Sequence, residues 1–151
     1  KIDLSYNLLT AIPEDLFHNL ENLTAVNLKR NYIRSVTKLF SRNNRLEHID
    51  LSNNLIESCH YIFQSMQSLK TINLHGNHLS KLTKNYFLSL PSLVELILSQ
   101  NFISQIDSEA LSELDRLQHL DLSFNRLKTL SRESFSGVSA IQEIITTGKY
   151  I

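Results

Sequence analysis

Apolar and polar residues alternate along this chain in short stretches that return at a nearly constant interval. Each stretch reads LxxLxLxxNxL, where L is an aliphatic residue, and residues 69–79 and 117–127 match it most closely. Alternation over a few residues is typical of a short strand with one buried face. The asparagine of the unit occurs six times, at spacings of 23 or 24 residues: Asn7, Asn31, Asn54, Asn77, Asn101 and Asn125.

Units of this length predict a solenoid, because each coil can bury its apolar side only against its neighbours. The expected fold class is α/β: a right-handed solenoid, or horseshoe, with a parallel concave β-sheet and an irregular or 3-10 convex side. The chain has three glycines but fourteen asparagines, so asparagine is the candidate for holding its bends. A short amide side chain bonds backbone groups in a turn. We therefore expect the six repeated asparagines to form a structural ladder inside the solenoid.

A second column of large apolar residues follows each strand unit and is expected to fill the convex half of each coil. It contains Phe17, Phe40, Phe63, Phe87 and Phe135, with Leu111 in the fifth place. Together with the segment IPEDLFHNL at residues 12–20, this column resembles the 24-residue "typical" leucine-rich repeats of secreted and cell-surface proteins. Toll-like receptor ectodomains, Slit-type proteins and small leucine-rich proteoglycans carry such repeats.

The resemblance covers residues 1 to about 138, which we assign to six repeats in one domain. Residues 139–151 are either a degenerate seventh repeat or the start of a C-terminal region, since Thr146 stands where a leucine is expected and no asparagine follows. The family usually closes its arrays with cysteine-rich caps, and uncapped coil ends would leave apolar surface in water. The chain is therefore expected to be a slice of a longer array.

Composition narrows the classes of partner. Lys plus Arg and Asp plus Glu both total 15, so the formal net charge is zero. A neutral chain lacks the basic excess that binds nucleic acid or an anionic membrane surface, so we expect no nucleic-acid partner. No apolar run exceeds three residues, which predicts no membrane insertion by this segment.

The sequence offers no convincing catalytic or metal site. Cys59 occupies a column of buried aliphatic residues, so an inert core thiol is expected. His48 and His119 share a column but stand three coils apart, roughly 14 Å at the strand spacing, which is too far for zinc. Because no nucleophile–base set or phosphate loop occurs either, we expect a protein that is not an enzyme and takes no cofactor or metal.

Two surfaces are candidates for recognition. The first is the concave face, a polar surface poor in aromatic residues, with Tyr6, Arg30 and Phe124 at one margin. Its candidate residues are Asp3, Lys29, His48, Asp50, His75, Glu95 and Asp121. A sheet face that is merely solvated is the alternative interpretation.

The second surface, here called the flank, carries the residue that follows each repeated asparagine. Four of these six residues are apolar or aromatic: Leu8, Tyr32, Leu55 and Phe102. Such residues in a row predict a lateral partner-binding or dimerising edge, and packing against neighbouring loops is the alternative. Asn22 begins the sequon Asn-Leu-Thr and is a candidate glycosylation site.

The resemblance implies an extracellular, non-catalytic receptor ectodomain that binds a protein or other macromolecular ligand, with the Toll-like innate immune type as the first expectation. A secreted adhesion or extracellular-matrix protein and an intracellular scaffold remain as alternatives. The fold does not name the ligand, because recognition depends on side chains that vary freely between repeats.

Overall fold

A computed structural model describes residues 1–64 and 66–148 of the chain. Among these residues, the strands in chain order are β1 Ile2–Asp3, β2 Ala25–Asn27, β3 His48–Asp50, β4 Thr71–Asn73, β5 Lys81–Leu82, β6 Glu95–Ile97, β7 Gln105–Ile106, β8 His119–Asp121 and β9 Glu143–Ile145. Seven of them form one parallel sheet in the order β1-β2-β3-β4-β6-β8-β9. The predicted solenoid with a parallel sheet is confirmed.

The sheet is in register from one coil to the next, so equivalent residues of successive repeats lie side by side. Val26 pairs with Ile49, and Ile49 pairs with Ile72. These central strand residues are buried, and the residues on either side of them point to the concave face. Residues that occupy the same position in successive repeats therefore lie in a straight row across the sheet.

The core lies between the sheet and the convex side of the coils. Most aliphatic residues of the repeat are almost fully buried, as are Phe17, Phe40, Phe63 and Phe87 behind them, whereas Phe135 is partly buried. Phe17 stacks on Phe40 with ring centroids 6.1 Å apart, and Phe63 stacks on Phe87 at 6.0 Å. These two pairs each join adjacent coils, and the buried residues form one apolar core cluster.

The repeated asparagines join neighbouring coils. The Asn54 side-chain nitrogen donates to the Leu51 carbonyl of its own coil and to the Leu28 carbonyl of the preceding coil, both at 3.0 Å. Its oxygen accepts the Ile33 backbone N–H at 3.0 Å. The same three bonds recur at Asn31, Asn77, Asn101 and Asn125. Asn7 is exposed and bonds only within its own coil.

The residue before each of these asparagines has a left-handed backbone. Its φ lies between 52° and 65° in all six repeats, at Tyr6, Arg30, Asn53, Gly76, Gln100 and Phe124. A left-handed conformation costs a non-glycine residue about 1–2 kcal/mol. Its backbone N–H bonds a carbonyl of the next coil, for example Arg30 to Ser52 at 2.9 Å. The bonds between coils thus hold bends that glycine would otherwise occupy.

The convex side is more regular than the sequence suggested. Strands β5 and β7 form a second, two-stranded parallel sheet, in which Leu82 pairs with Ile106. A 3-10 helix spans Arg132–Phe135, and the Ser131 side chain at its start accepts the Ser134 N–H. At the far end, β9 extends the main sheet by pairing Ile144 with Leu120. Residues 149–151 of the predicted last segment lie outside the described residues.

Candidate recognition surfaces

The concave face carries a row of short polar side chains where the strands end. Asp3 accepts the Ser5 backbone N–H at 3.0 Å, Asp50 that of Ser52 at 2.8 Å, and Asp121 that of Ser123 at 2.9 Å. The amide oxygens of Asn27 and Asn73 do the same in the coils between them. Each of these side chains therefore fixes the turn that follows its strand, a role that the spacing D/N-x-S/K/H could have revealed.

Other polar side chains of this face bond across neighbouring strands. His48 Nδ1 lies 2.9 Å from the Thr71 hydroxyl, and His75 Nδ1 lies 3.0 Å from the Ser99 hydroxyl. Next to His48, at the edge of the face, the Lys70 ammonium group lies 2.7 Å from the Glu47 carboxylate. The hydrogen bond from Lys70, together with its charge, lowers the pKa of Glu47. The concave polar groups thus largely satisfy one another.

Two shallow depressions run along this face. The larger has a volume of about 430 Å³ and its lining includes His48, Asp50 and Glu95. The second, about 280 Å³, includes Glu95, Asp121 and Glu143. Of the predicted concave residues, the depressions bring together His48, Asp50, Glu95 and Asp121. Asp3, Lys29 and His75 do not line them.

The flank is formed by the residues that follow the repeated asparagines. Leu8 is 80% exposed, Tyr32 51% and Phe102 39%, whereas Leu55 is half-buried. Three of the four have a fixed backbone: the N–H of Tyr32 donates to the Leu9 carbonyl at 2.8 Å, that of Leu55 to the Ile33 carbonyl at 2.9 Å and that of Phe102 to the Leu79 carbonyl at 2.9 Å. Tyr32 is exposed between the buried Asn31 and Ile33, and Phe102 between the buried Asn101 and Ile103. Leu8 and Tyr32 are the most exposed members, and Phe102 is exposed in part.

Cations lie over the aromatic rings of this edge. The Arg30 guanidinium carbon is 5.3 Å from the centre of the Tyr6 ring, and that of Arg126 is 4.3 Å from the centre of the Phe102 ring. His78 also contacts Phe102, with ring centres 5.4 Å apart. A depression of about 440 Å³ opens between Tyr6, Arg30, Tyr32 and Leu55. The partners of each contact are 24 residues apart, which is one repeat, so they occupy the same position in adjacent coils.

The remaining candidates lie elsewhere. Cys59 is fully buried, and burial raises the pKa of its thiol. Asn22 is exposed, and its side-chain oxygen accepts a hydrogen bond from Arg45 at 2.7 Å. Asn22 precedes strand β2, whereas the flank residues follow the strands, so Asn22 lies at the opposite end of the strands from the flank. Within residues 1–64 and 66–148, no group of three or more His, Cys, Asp or Glu side chains is placed to bind a metal, and no helix is long and apolar enough to span a bilayer.

Comparison with known proteins identifies the repeat. The sequence profile of leucine rich repeats matches residues 1–56, 57–103 and 91–147. The chain belongs to the leucine-rich repeat family. Domains of this family are generally non-catalytic recognition modules. Among curated protein sequences, no relative matches the chain.

Solved leucine-rich repeat structures share the fold. The TLR13–ssRNA13 complex superposes with a TM-score of 0.85 at 29% identity, and the Drosophila Toll–Spatzle complex with 0.88 at 26%. A leucine-rich repeat protein of Leptospira interrogans gives 0.83 at 27%. These matches cover 95–97% of this chain but only 21%, 20% and 36% of the respective structures. The expectation that nucleic acid is no partner lacks support, because one of these structures is a complex with single-stranded RNA.

Proposed function

We propose that the chain is a recognition segment of a Toll-like, innate immune receptor ectodomain, and that it binds a protein or other macromolecular ligand outside the cell. The likeness to Toll in its complex with Spatzle and to TLR13 with RNA supports this assignment. The whole protein's ligand, its membrane attachment and its immune role belong to the proposal, as does the assignment of residues 1–138 to one six-repeat domain.

Within this proposal, the flank is the binding site. The observation that carries it is the exposure of Tyr32 and Phe102 on backbone that is fixed by bonds between coils, with Leu8 exposed beside them. Burial of apolar surface on binding favours association by about 25 cal/mol per Å² before the costs of association are subtracted. Rigid aromatic side chains also lose little entropy when they bind. Leu55 contributes from the floor of the depression.

The concave face is the second candidate, favoured by the two depressions that run along it. A ligand there meets His48, Asp50, Glu95 and Asp121, three of which are carboxylates. Several of the polar groups on this face are already bonded within the sheet, so a ligand must replace those bonds or leave them intact.

Asn22 is assigned as an N-glycosylation site. Its side chain is exposed, and the Arg45 contact uses the amide oxygen and leaves the nitrogen that carries a glycan. Because Asn22 lies before the strands and the flank lies after them, a glycan on Asn22 leaves Leu8, Tyr32 and Phe102 uncovered.

The test is affinity capture from serum and cell-surface extract with three immobilised baits. They are the wild-type chain, a Tyr32→Glu/Phe102→Glu flank variant and a His48→Glu/Glu95→Gln concave variant, each checked for folding by circular dichroism. A partner kept by the concave variant and lost by the flank variant supports the proposal. Loss on the concave variant alone moves the site to the sheet. Absence of any partner on the wild-type bait contradicts recognition by this segment.

A further inference from the structure

The neutral net charge of the chain hides an asymmetry. The flank segments, taken from the residue before each repeated asparagine to the fourth residue after it, are 6–11, 30–35, 53–58, 76–81, 100–105 and 124–129. They contain five basic residues and one acid: Arg30, Arg34, Lys81, Arg126, Lys128 and Glu57. The concave face carries five acids, Asp3, Asp50, Glu95, Asp121 and Glu143, and two basic residues, Lys1 and Lys29. The flank segments therefore have an excess of positive charge and the concave face an excess of negative charge.

Most of these cations have no acidic partner. Glu57 lies 3.6 Å from Arg34. In the part of the chain that the structure describes, no carboxylate forms an ion pair with Arg30, Lys81, Arg126 or Lys128. Instead, Arg30 and Arg126 lie over aromatic rings, which hold the guanidinium groups in place. A guanidinium held in this way keeps N–H donors free for a carboxylate, which it binds with two parallel hydrogen bonds.

The charge pattern argues against a second copy of this chain as the occupant. A two-fold dimer contact uses the same patch on both subunits, so cations would face cations across it. Like charges brought together at an interface cost several kcal/mol. Charge complementarity instead requires a partner with carboxylates opposite Arg30 and Arg126.

The spacing sets the size of that partner. Arg30 and Arg126 are four coils apart, which is roughly 19 Å at the strand spacing. An extended peptide rises about 3.3 Å per residue, so about six residues separate the two contacts. The depression of about 440 Å³ between Tyr6, Tyr32 and Leu55 lies beside Arg30 and accepts an apolar or aromatic side chain.

We propose that the flank binds an acidic protein segment, with carboxylates at Arg30 and Arg126 and one apolar side chain in the depression between Tyr6, Tyr32 and Leu55. This inference rests on the proposed function, because it names the chemistry of the partner at the same surface. A single-stranded nucleic acid fits less well, since the guanidinium groups already cover one face of the Tyr6 and Phe102 rings on which bases would stack.

The test uses a random copolymer of glutamate and tyrosine as the probe, and polyuridylate as the competing polyanion. Binding to the 151-residue chain is measured by biolayer interferometry at moderate and high salt. The test variant, here called the arginine variant, is Arg30→Glu/Arg126→Glu. The matched control is Arg42→Glu/Arg116→Glu, which makes the same charge change at two exposed arginines outside the flank.

We expect the arginine variant to bind the copolymer at least about tenfold more weakly than the wild type. The control should bind within about twofold of the wild type. High salt should weaken the wild-type interaction. Equal losses in both variants, no copolymer binding, or tighter binding of polyuridylate with the same dependence on Arg30 and Arg126 would overturn the inference. Wild-type self-association in sedimentation velocity that Tyr32→Glu abolishes would also overturn it.

Failure here is distinguishable from failure of the proposed function. If the copolymer ignores the flank while the Tyr32→Glu/Phe102→Glu bait still loses its captured partner, the flank remains a binding site and only the acidic character of the partner is wrong.

Discussion

On the concave face, polar side chains are engaged with their neighbours: Asp50 holds the turn after its strand, and His48 bonds Thr71 in the next coil. On the flank, Tyr32 is exposed and the Arg126 guanidinium group lies over the Phe102 ring. A ligand that covers the concave face must respect existing hydrogen bonds, whereas one that covers the flank meets apolar rings and unpaired cations. Two exposed surfaces can therefore differ as binding sites, because the hydrogen bonds that their side chains already make decide how easily a ligand replaces them.

The largest expected effect comes from the ladder beneath both surfaces. Asn77→Ala removes one of the two donors to the Leu51 carbonyl, which keeps its bond from Asn54. It also removes the acceptor of the Ile56 N–H and leaves this group unsatisfied in the core. We expect a loss of about 2–4 kcal/mol in the free energy of unfolding, measured by urea denaturation. Asn7→Ala, at an exposed asparagine, should cost less than about 1 kcal/mol. Equal losses would contradict the role of the bonds between coils.

A smaller effect should separate the two surfaces directly. Asp50→Ala removes the acceptor of the Ser52 N–H and should lower the free energy of unfolding by about 1–2 kcal/mol. Asp50→Asn should recover most of this loss, since Asn27 and Asn73 make the same bond. Leu8→Ala on the flank should change stability by less than about 0.5 kcal/mol. A flank substitution as costly as Asp50→Ala would mean that the flank is part of the scaffold.

The third prediction concerns pH. The Lys70 contact lowers the pKa of Glu47 in the folded chain below its ordinary value of 4.5. The stabilisation from this pair is therefore complete above that ordinary value and is lost as the pH falls through the lowered one. The urea midpoints of the wild type and Lys70→Met should differ slightly at neutral pH and converge in acid, once the pH is below the lowered pKa of Glu47. Lys128→Met, on the flank and without a carboxylate partner, should show no such convergence.

The smallest effect on stability is expected from the glycan. When the chain is secreted from eukaryotic cells behind a signal peptide, its intact mass should exceed the polypeptide mass by one N-glycan. Both Asn22→Gln and Thr24→Ala should remove this excess. Binding at the flank should be unchanged by either substitution, because Asn22 lies at the opposite end of the strands from the flank. Tighter flank binding by the unglycosylated variants would show that the glycan reaches across.

The architecture was predictable because the repeat converts sequence position into spatial position. The asparagine and phenylalanine columns were visible from spacing alone, and the burial of Cys59 followed from its aliphatic column. These inferences need only the period of the coil. They do not depend on which side chains face outward.

The contacts that distinguish the surfaces were not predictable in this way. The spacing places Arg126 beside Phe102, but the position of the guanidinium group over the ring depends on side-chain conformation, which spacing does not give. The second sheet at Lys81–Leu82 and Gln105–Ile106 is too short to show alternation. The left-handed backbone at Tyr6 and Phe124 carries no propensity signal, since it is imposed by bonds from outside the residue.

That imposed backbone has an evolutionary consequence. Tyr, Arg, Asn, Gly, Gln and Phe all occupy the place before the asparagine, so the scaffold there accepts almost any side chain. Gly76 is the exception, since a Cβ there would approach the Asn53 side-chain oxygen to 2.8 Å. At the other five positions, which lie one per coil at intervals of about 5 Å, the side chain can be exchanged without a change in the backbone. A new binding specificity can therefore arise by substituting one of these residues at a time.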